Sequence, residues 1–144
     1  MLLLESSYYA FGFYTAINAL ILLVLSMRVV RARFQTNTAI GDGGKPAMAA
    51  PLRAHANNAE YVPIALLLLW ALASPLGRSI WVIHGVGVTF TIGRILHAIG
   101  LSRSLGPSPL RFAGMVLTWI ALVAGIAGVL WFVFIPQQNP TLSP

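Results

Sequence analysis

The 144-residue sequence contains no cysteine. That absence excludes disulfides, thiolate-held metals and cysteine nucleophiles. Histidine is scarce as well, with only His55, His84 and His97. No two of them stand at ligand spacing beside carboxylates, and no serine, histidine and carboxylate come together as a triad, so metal and hydrolase chemistry have no support. Charged residues make up 8% of the chain, against roughly 25% in a soluble domain. The N-terminus, Met-Leu-Leu-Leu-Glu, lacks the positive region of a signal peptide, and its apolar run leads to no small-residue cleavage site. It is read as a retained first span. The segment from Gly41 to Lys45 is glycine-rich but lacks the spacing of a phosphate loop and follows no strand, so a plain turn is expected.

What the chain has in quantity is apolar surface: 58% of residues are hydrophobic, and the mean hydropathy is +0.81. This is the composition of a membrane protein. The net charge of +6 lies at the ends of apolar segments and not in a basic stripe with stacking aromatics, which argues against nucleic-acid binding. The pattern predicts an all-α bundle of four transmembrane helices in a single domain over residues 1–144, with helices at about 8–33, 47–74, 79–102 and 111–135. Pro63 falls inside the second helix, where it removes one backbone hydrogen bond and is expected to bend the chain. Ala121, Ala124, Gly125 and Gly128 give the fourth helix a small-residue face for close packing. Tyr8, Tyr9, Phe11, Phe13 and Tyr14 read as an aromatic belt, and Trp81, Trp119 and Trp131 as interface anchors. Arg28, Arg31, Arg33, Lys45 and Arg53 flank the first connection, Arg103 and Arg111 the third, and only Arg78 the second. The positive-inside rule therefore puts the first and third connections in the cytoplasm and both termini on the other side.

The polar residues from Arg53 to Glu60 demand a reason, because they open an apolar helix. Arg53, Asn57 and Glu60 recur at i, i+4 and i+7, so a cation, an amide and a carboxylate share one face. At helical rise Glu60 lies about 10 Å inside Arg53, and Arg94 about 10 Å inside Leu101. Equal depth on antiparallel neighbours predicts a Glu60–Arg94 contact that offsets the penalty of a mid-span charge. Asn57 and His97 should approach one another nearer the cytoplasmic edge. Asn58 and His55 fall off this face and are expected against the first helix or a neighbouring subunit, and His84 is expected at the outer interface. Read without a function, the Glu60–Arg94 pair would only set helix register. Convergence of Arg28, Arg31, Arg53, Asn57, Glu60, Arg94, His97 and Arg111 on one leaflet favours a site for a small zwitterion rich in carboxylates.

Arg53-Ala-His-x-Asn-x-x-Glu-Tyr-x-Pro63 resembles the second-helix signature of the MAPEG family, the membrane-associated proteins of eicosanoid and glutathione metabolism. Gly41-Asp-Gly-Gly44 and Gly93-Arg-x-x-His-Ala-x-Gly-Leu101 are similar to its bacterial branch. The resemblance implies a homotrimer in a bacterial inner membrane, with glutathione held between subunits near the cytoplasmic face and a lipophilic small-molecule substrate entering from the membrane lipids. It implies glutathione contacts for Arg53, Asn57, Glu60 and Tyr61, pocket positions for Arg94 and His97, and a neighbour's arginine at Arg28 or Arg31. Arg111 is similar to the arginine that stabilises the glutathione thiolate in leukotriene-C and prostaglandin-E synthases. Leu101 departs from the pattern, since the eukaryotic enzymes commonly carry a tyrosine there. The expected activity is glutathione-dependent transfer or peroxide reduction on lipophilic electrophiles, and the alternative is a non-catalytic protein that binds lipid or glutathione.

Overall fold

The computed structural model describes residues 6–73, 80–103 and 105–134. Its elements are four helices, α1 (Ser7–Thr36), α2 (Pro46–Ala73), α3 (Ile80–Arg103) and α4 (Pro109–Phe134). Each is long and apolar enough to cross a membrane, so the protein is an all-α integral membrane bundle. The turn expected at Pro75 to Gly77 lies outside the described residues.

Helix α1 runs three residues past the expected end, because nothing between Arg33 and Thr36 breaks it. It stops at Asn37, which adopts a left-handed conformation (φ 49°), while the Thr38 amide donates to the Arg33 carbonyl at 3.1 Å. Helix α4 starts at Pro109, where a missing amide hydrogen is harmless. Ser108 caps it, its Oγ accepting from the Arg111 amide at 3.2 Å. The cap places Arg111 in the first turn of α4. Helix α2 continues through both Pro51 and Pro63.

Helix α3 touches the other three helices, whereas α1 and α4 do not contact each other among the described residues. The α3–α4 seam is the tightest, and glycine makes it so. A Cβ on Gly93 would sit 2.9 Å from the Thr118 backbone nitrogen, one on Gly100 would sit 2.6 Å from the Arg111 nitrogen, and one on Gly114 would overlap the His97 nitrogen. The small face expected on α4 also packs closely, but on α2: Gly125 and Gly128 lie under Leu68 and Leu72.

The apolar core is uneven along the bundle axis. At the end remote from the α1–α2 loop it is continuous, built from Ala10 and Tyr14, Val62 to Ala73 on α2, Ile83 to Phe90 on α3, and Ala121. At the loop end only Leu25, Ala54, Ala98 and Leu101 form a buried cluster. Of the expected aromatic belt, Tyr8, Tyr9 and Phe13 are exposed, as are Trp81, Trp119 and Trp131. Tyr14 departs from it. Its ring is buried over Gly87, and its hydroxyl meets His84 Nδ1 at 2.8 Å, so His84 is tied into the bundle.

Candidate functional site

Where the apolar core thins, a cavity of about 1020 Å³ opens. Arg53, His55, Asn57 and Glu60 of α2, His97 and Leu101 of α3, Arg111 of α4 and Gly41 and Asp42 of the loop line it. Two of the chain's three acidic residues thus face one cavity.

The loop is a plain turn, and it is held shut. Gly41, Gly43 and Gly44 all have positive φ, a conformation that favours glycine. The Asp42 carboxylate accepts from the Gly44 amide at 3.0 Å. The Arg33 guanidinium donates to the carbonyls of Thr38, Ala39 and Gly41 at 3.2, 3.0 and 3.3 Å, and Lys45 Nζ donates to the Thr36 carbonyl. Arg33 therefore fixes a wall of the cavity from outside it.

The expected Glu60–Arg94 pair does not form. Arg94 is 0% exposed, its Nε donating to Asn58 Oδ1 at 3.1 Å and its Nη2 to Asn57 Oδ1 at 2.8 Å. The Tyr61 ring lies under the guanidinium, 5.4 Å from centroid to Cζ. Arg94 meets α2 at the expected level but on another side of the helix. The face of α2 turned inward carries Ala54, Asn58, Val62 and Ala65, and Glu60 stands two residues from Asn58, about 200° away around the helix. Asn58, expected against α1 or a neighbour, is instead the inner amide of this cluster and fully buried.

Arg94 is consequently behind the cavity and not in its lining. Its effect on the site passes through Asn57. With one lone pair of Oδ1 taken by Arg94, the Asn57 amide keeps both N–H donors to offer the cavity. Buried Arg94 Nη1, Asn58 Nδ2 and His97 Nδ1 have no hydrogen-bond partner in the chain, so polar capacity is left unanswered around the cavity floor. Arg111 is steadied by its Nη1, which donates to the Leu105 carbonyl at 3.1 Å. The Gly100 contact sets the Arg111 backbone against α3, one turn from His97.

The structure thus gathers Arg53, Asn57, Glu60, His97 and Arg111 around one cavity and keeps Tyr61 and Arg94 behind it. Arg28 and Arg31 are exposed on α1, and neither lines the cavity. Sequence reasoning passed over His55 and Asp42 as site residues. The α1–α2 loop folds back over α2, so the cavity covers a wider arc of that helix than the i, i+4, i+7 stripe. A signal for Asp42 existed: a rare carboxylate set among three glycines at a helix junction.

Arg53 and Glu60 are exposed. Among the described residues Glu60 has no ion-pair partner, although it lies within a span. An uncovered carboxylate there is unfavourable in lipid, so this face is suited to being covered.

The MAPEG family model matches residues 11–131 of the chain. The chain is also 35% identical over 119 residues to Inner membrane protein YecN of Escherichia coli, in strain K12 and in an O6:H1 strain, covering 83% of this chain and 88% of each relative.

Proposed function

The chain belongs to the MAPEG family, and from that premise we propose that it is a glutathione-dependent transferase or peroxidase that acts on lipophilic electrophiles at an inner membrane. The observation that carries this reading is the cavity in which Arg53, Asn57 and Glu60 face His97 and Arg111. Glutathione presents two carboxylates, an ammonium and a thiol. The donor set answers the carboxylates through Arg53 and the Asn57 N–H groups, and the ammonium has Glu60 and Asp42 as acceptors. The unpartnered His97 Nδ1 and the donors around it fit a polar ligand better than an apolar one.

When bound, glutathione supplies a sulfur nucleophile. The part played by this chain is electrostatic: Arg111 holds positive charge where the sulfur's negative charge develops, which lowers the free energy of the ionised form. Asn57, locked by Arg94, orients the peptide portion, and Leu101 gives the cavity an apolar patch beside which a lipophilic partner can lie.

The exposed Arg53 and Glu60 support a homotrimer in which a neighbour covers this face and Arg28 or Arg31 is offered across the boundary. The basic flanks of the α1–α2 loop support placing the cavity at the cytoplasmic leaflet, with both termini outside. A reporter fused at Gly43 should then read cytoplasmic and one at Pro144 external.

Leu101 also favours a second reading, a protein that binds glutathione or lipid without catalysis, because it removes from the cavity wall the hydroxyl that related enzymes place near sulfur. Calorimetric titration of the purified protein with glutathione, followed by addition of a lipophilic electrophile, separates the two. Binding with consumption of the electrophile supports the enzyme, binding alone supports the second reading, and no binding contradicts both glutathione readings.

A further inference from the structure

A second, smaller cavity of about 260 Å³ lies between α1 and α3 and shares no residue with the first. Leu20, Ile21, Val24 and Leu25 form one side, and Ile95, Ala98 and Ile99 the other. It is apolar along its length and polar only at one end, where Arg28 and Ser102 close it. Ser102 Oγ is buried there with no partner in the chain. Leu20, Val24 and Arg28 follow at i, i+4 and i+8, so the groove runs about 12 Å along the helix before reaching the cation. Arg28 stands about two turns inside the end of α1, toward the α1–α2 loop, at the depth where a span meets the headgroup region.

We propose that this groove binds one acyl chain of an anionic phospholipid, with the headgroup phosphate at Arg28 and Ser102. The shape is that of an amphiphile: a narrow apolar channel that ends in a cation and a free hydroxyl at the membrane edge. Charge decides against the other large occupant, a second copy of this chain. The protein has only three acidic residues, and Asp42 and Glu60 already face the large cavity, while Glu5 lies outside the described residues. Because the Asp42 and Glu60 carboxylates lie on the large-cavity face, a copy packed on the groove through any other face would bring apolar side chains to Arg28 and no anion. Anionic lipid brings both. The assignment does not depend on the glutathione reading; it gives Arg28 to its own subunit's groove and leaves Arg31 as the arginine available to a neighbour.

Native mass spectrometry of the protein released from detergent tests this, using dioleoylphosphatidylglycerol against dioleoylphosphatidylcholine, with oleate and glycerol 3-phosphate as competitors. Phosphatidylglycerol should be retained over phosphatidylcholine. Arg28→Ala should weaken its retention roughly fivefold, the usual worth of one basic side chain near an anionic lipid. Arg28→Lys should keep most of it. Ile99→Trp, at an exposed groove position, should block both lipids while leaving the circular dichroism of the bundle unchanged. Equal retention of the two lipids, or no change in Arg28→Ala, overturns the proposal. Displacement by glycerol 3-phosphate alone would make it a headgroup site without a chain, and tighter binding of oleate a fatty-acid site. Loss of a multimer in Arg28→Ala would show that a second copy covers the groove.

Discussion

The two ends of this bundle treat polar residues in opposite ways. At the end remote from the α1–α2 loop, Tyr14 meets His84 at 2.8 Å, and the Asn18 amide nitrogen donates to the Tyr14 carbonyl and to Thr91 Oγ1, each at 2.9 Å. Tyr14 belongs to the larger apolar core, and Asn18 and Thr91 are buried beside it, where Asn18 Oδ1 is the one buried side-chain atom of the three left without a partner. They tie α1 to α3, and neither cavity described above reaches them. At the loop end the core shrinks to four residues, the polar groups ring a cavity of about 1020 Å³, and buried donors and acceptors stay unanswered. Polar groups that largely answer one another inside a membrane serve the architecture, whereas several left open around a cavity are suited to a ligand.

The change that should damage this arrangement most is Gly114→Leu. The backbone of α4 lies against His97 at this point, and a side chain there would push the helices apart, at about 3 kcal/mol or more. Thermal unfolding in detergent should show a large fall, and glutathione binding should go with it, since the same seam places Arg111 beside His97. A near-native melting temperature would show that the seam is not what joins the two sides of the cavity.

Next in size is Asn58→Leu, which removes a partner from a fully buried guanidinium and should destabilise the bundle by about 2 kcal/mol. A double-mutant cycle sharpens this. Asn58 and Arg94 should be strongly non-additive, and Glu60 and Arg94 much less so. The reverse ranking would restore the carboxylate as Arg94's partner.

That reversal marks how far the sequence could be read. The four spans and the first loop follow from apolar run length and turn residues, and the level at which α2 and α3 bring their polar residues together follows from a fixed rise per residue, whereas α1 runs three residues past its expected end. The cavity stripe of Arg53, Asn57 and Glu60 follows from periodicity. Azimuth does not, because which side of α2 faces α3 depends on how two surfaces interlock. Here small residues decide it: Ala54, Val62 and Ala65 share the inner face with Asn58, so that amide goes inside and Glu60 stays out. The stripe was visible as a run of small and branched residues at helical spacing. In the packing, that stripe outweighs the pull of opposite charges. The α3–α4 seam was hidden for a similar reason: Gly93, Gly100 and Gly114 lie on two helices, and only their juxtaposition shows that they are one contact.

Smaller effects separate binding from architecture directly. Asn57→Ala removes a donor to the cavity together with an acceptor of Arg94, and should weaken glutathione about tenfold by titration calorimetry besides lowering stability. Tyr14→Phe, in the closed cluster, should cost about 1 kcal/mol of stability and leave glutathione affinity unchanged. If Tyr14→Phe lowered affinity as much as Asn57→Ala, the two ends of the bundle would not be functionally distinct.

The central claim is that the open end holds glutathione and that Arg111 sits where charge develops on its sulfur. Ultraviolet absorbance of the bound thiolate, followed against pH in wild type and in Arg111→Ala, tests it most directly. The account predicts a thiolate band near neutral pH in the wild type, and in Arg111→Ala near-normal binding with the band moved to higher pH. Wild-type protein that binds glutathione without any such band near neutral pH would contradict the catalytic role of Arg111.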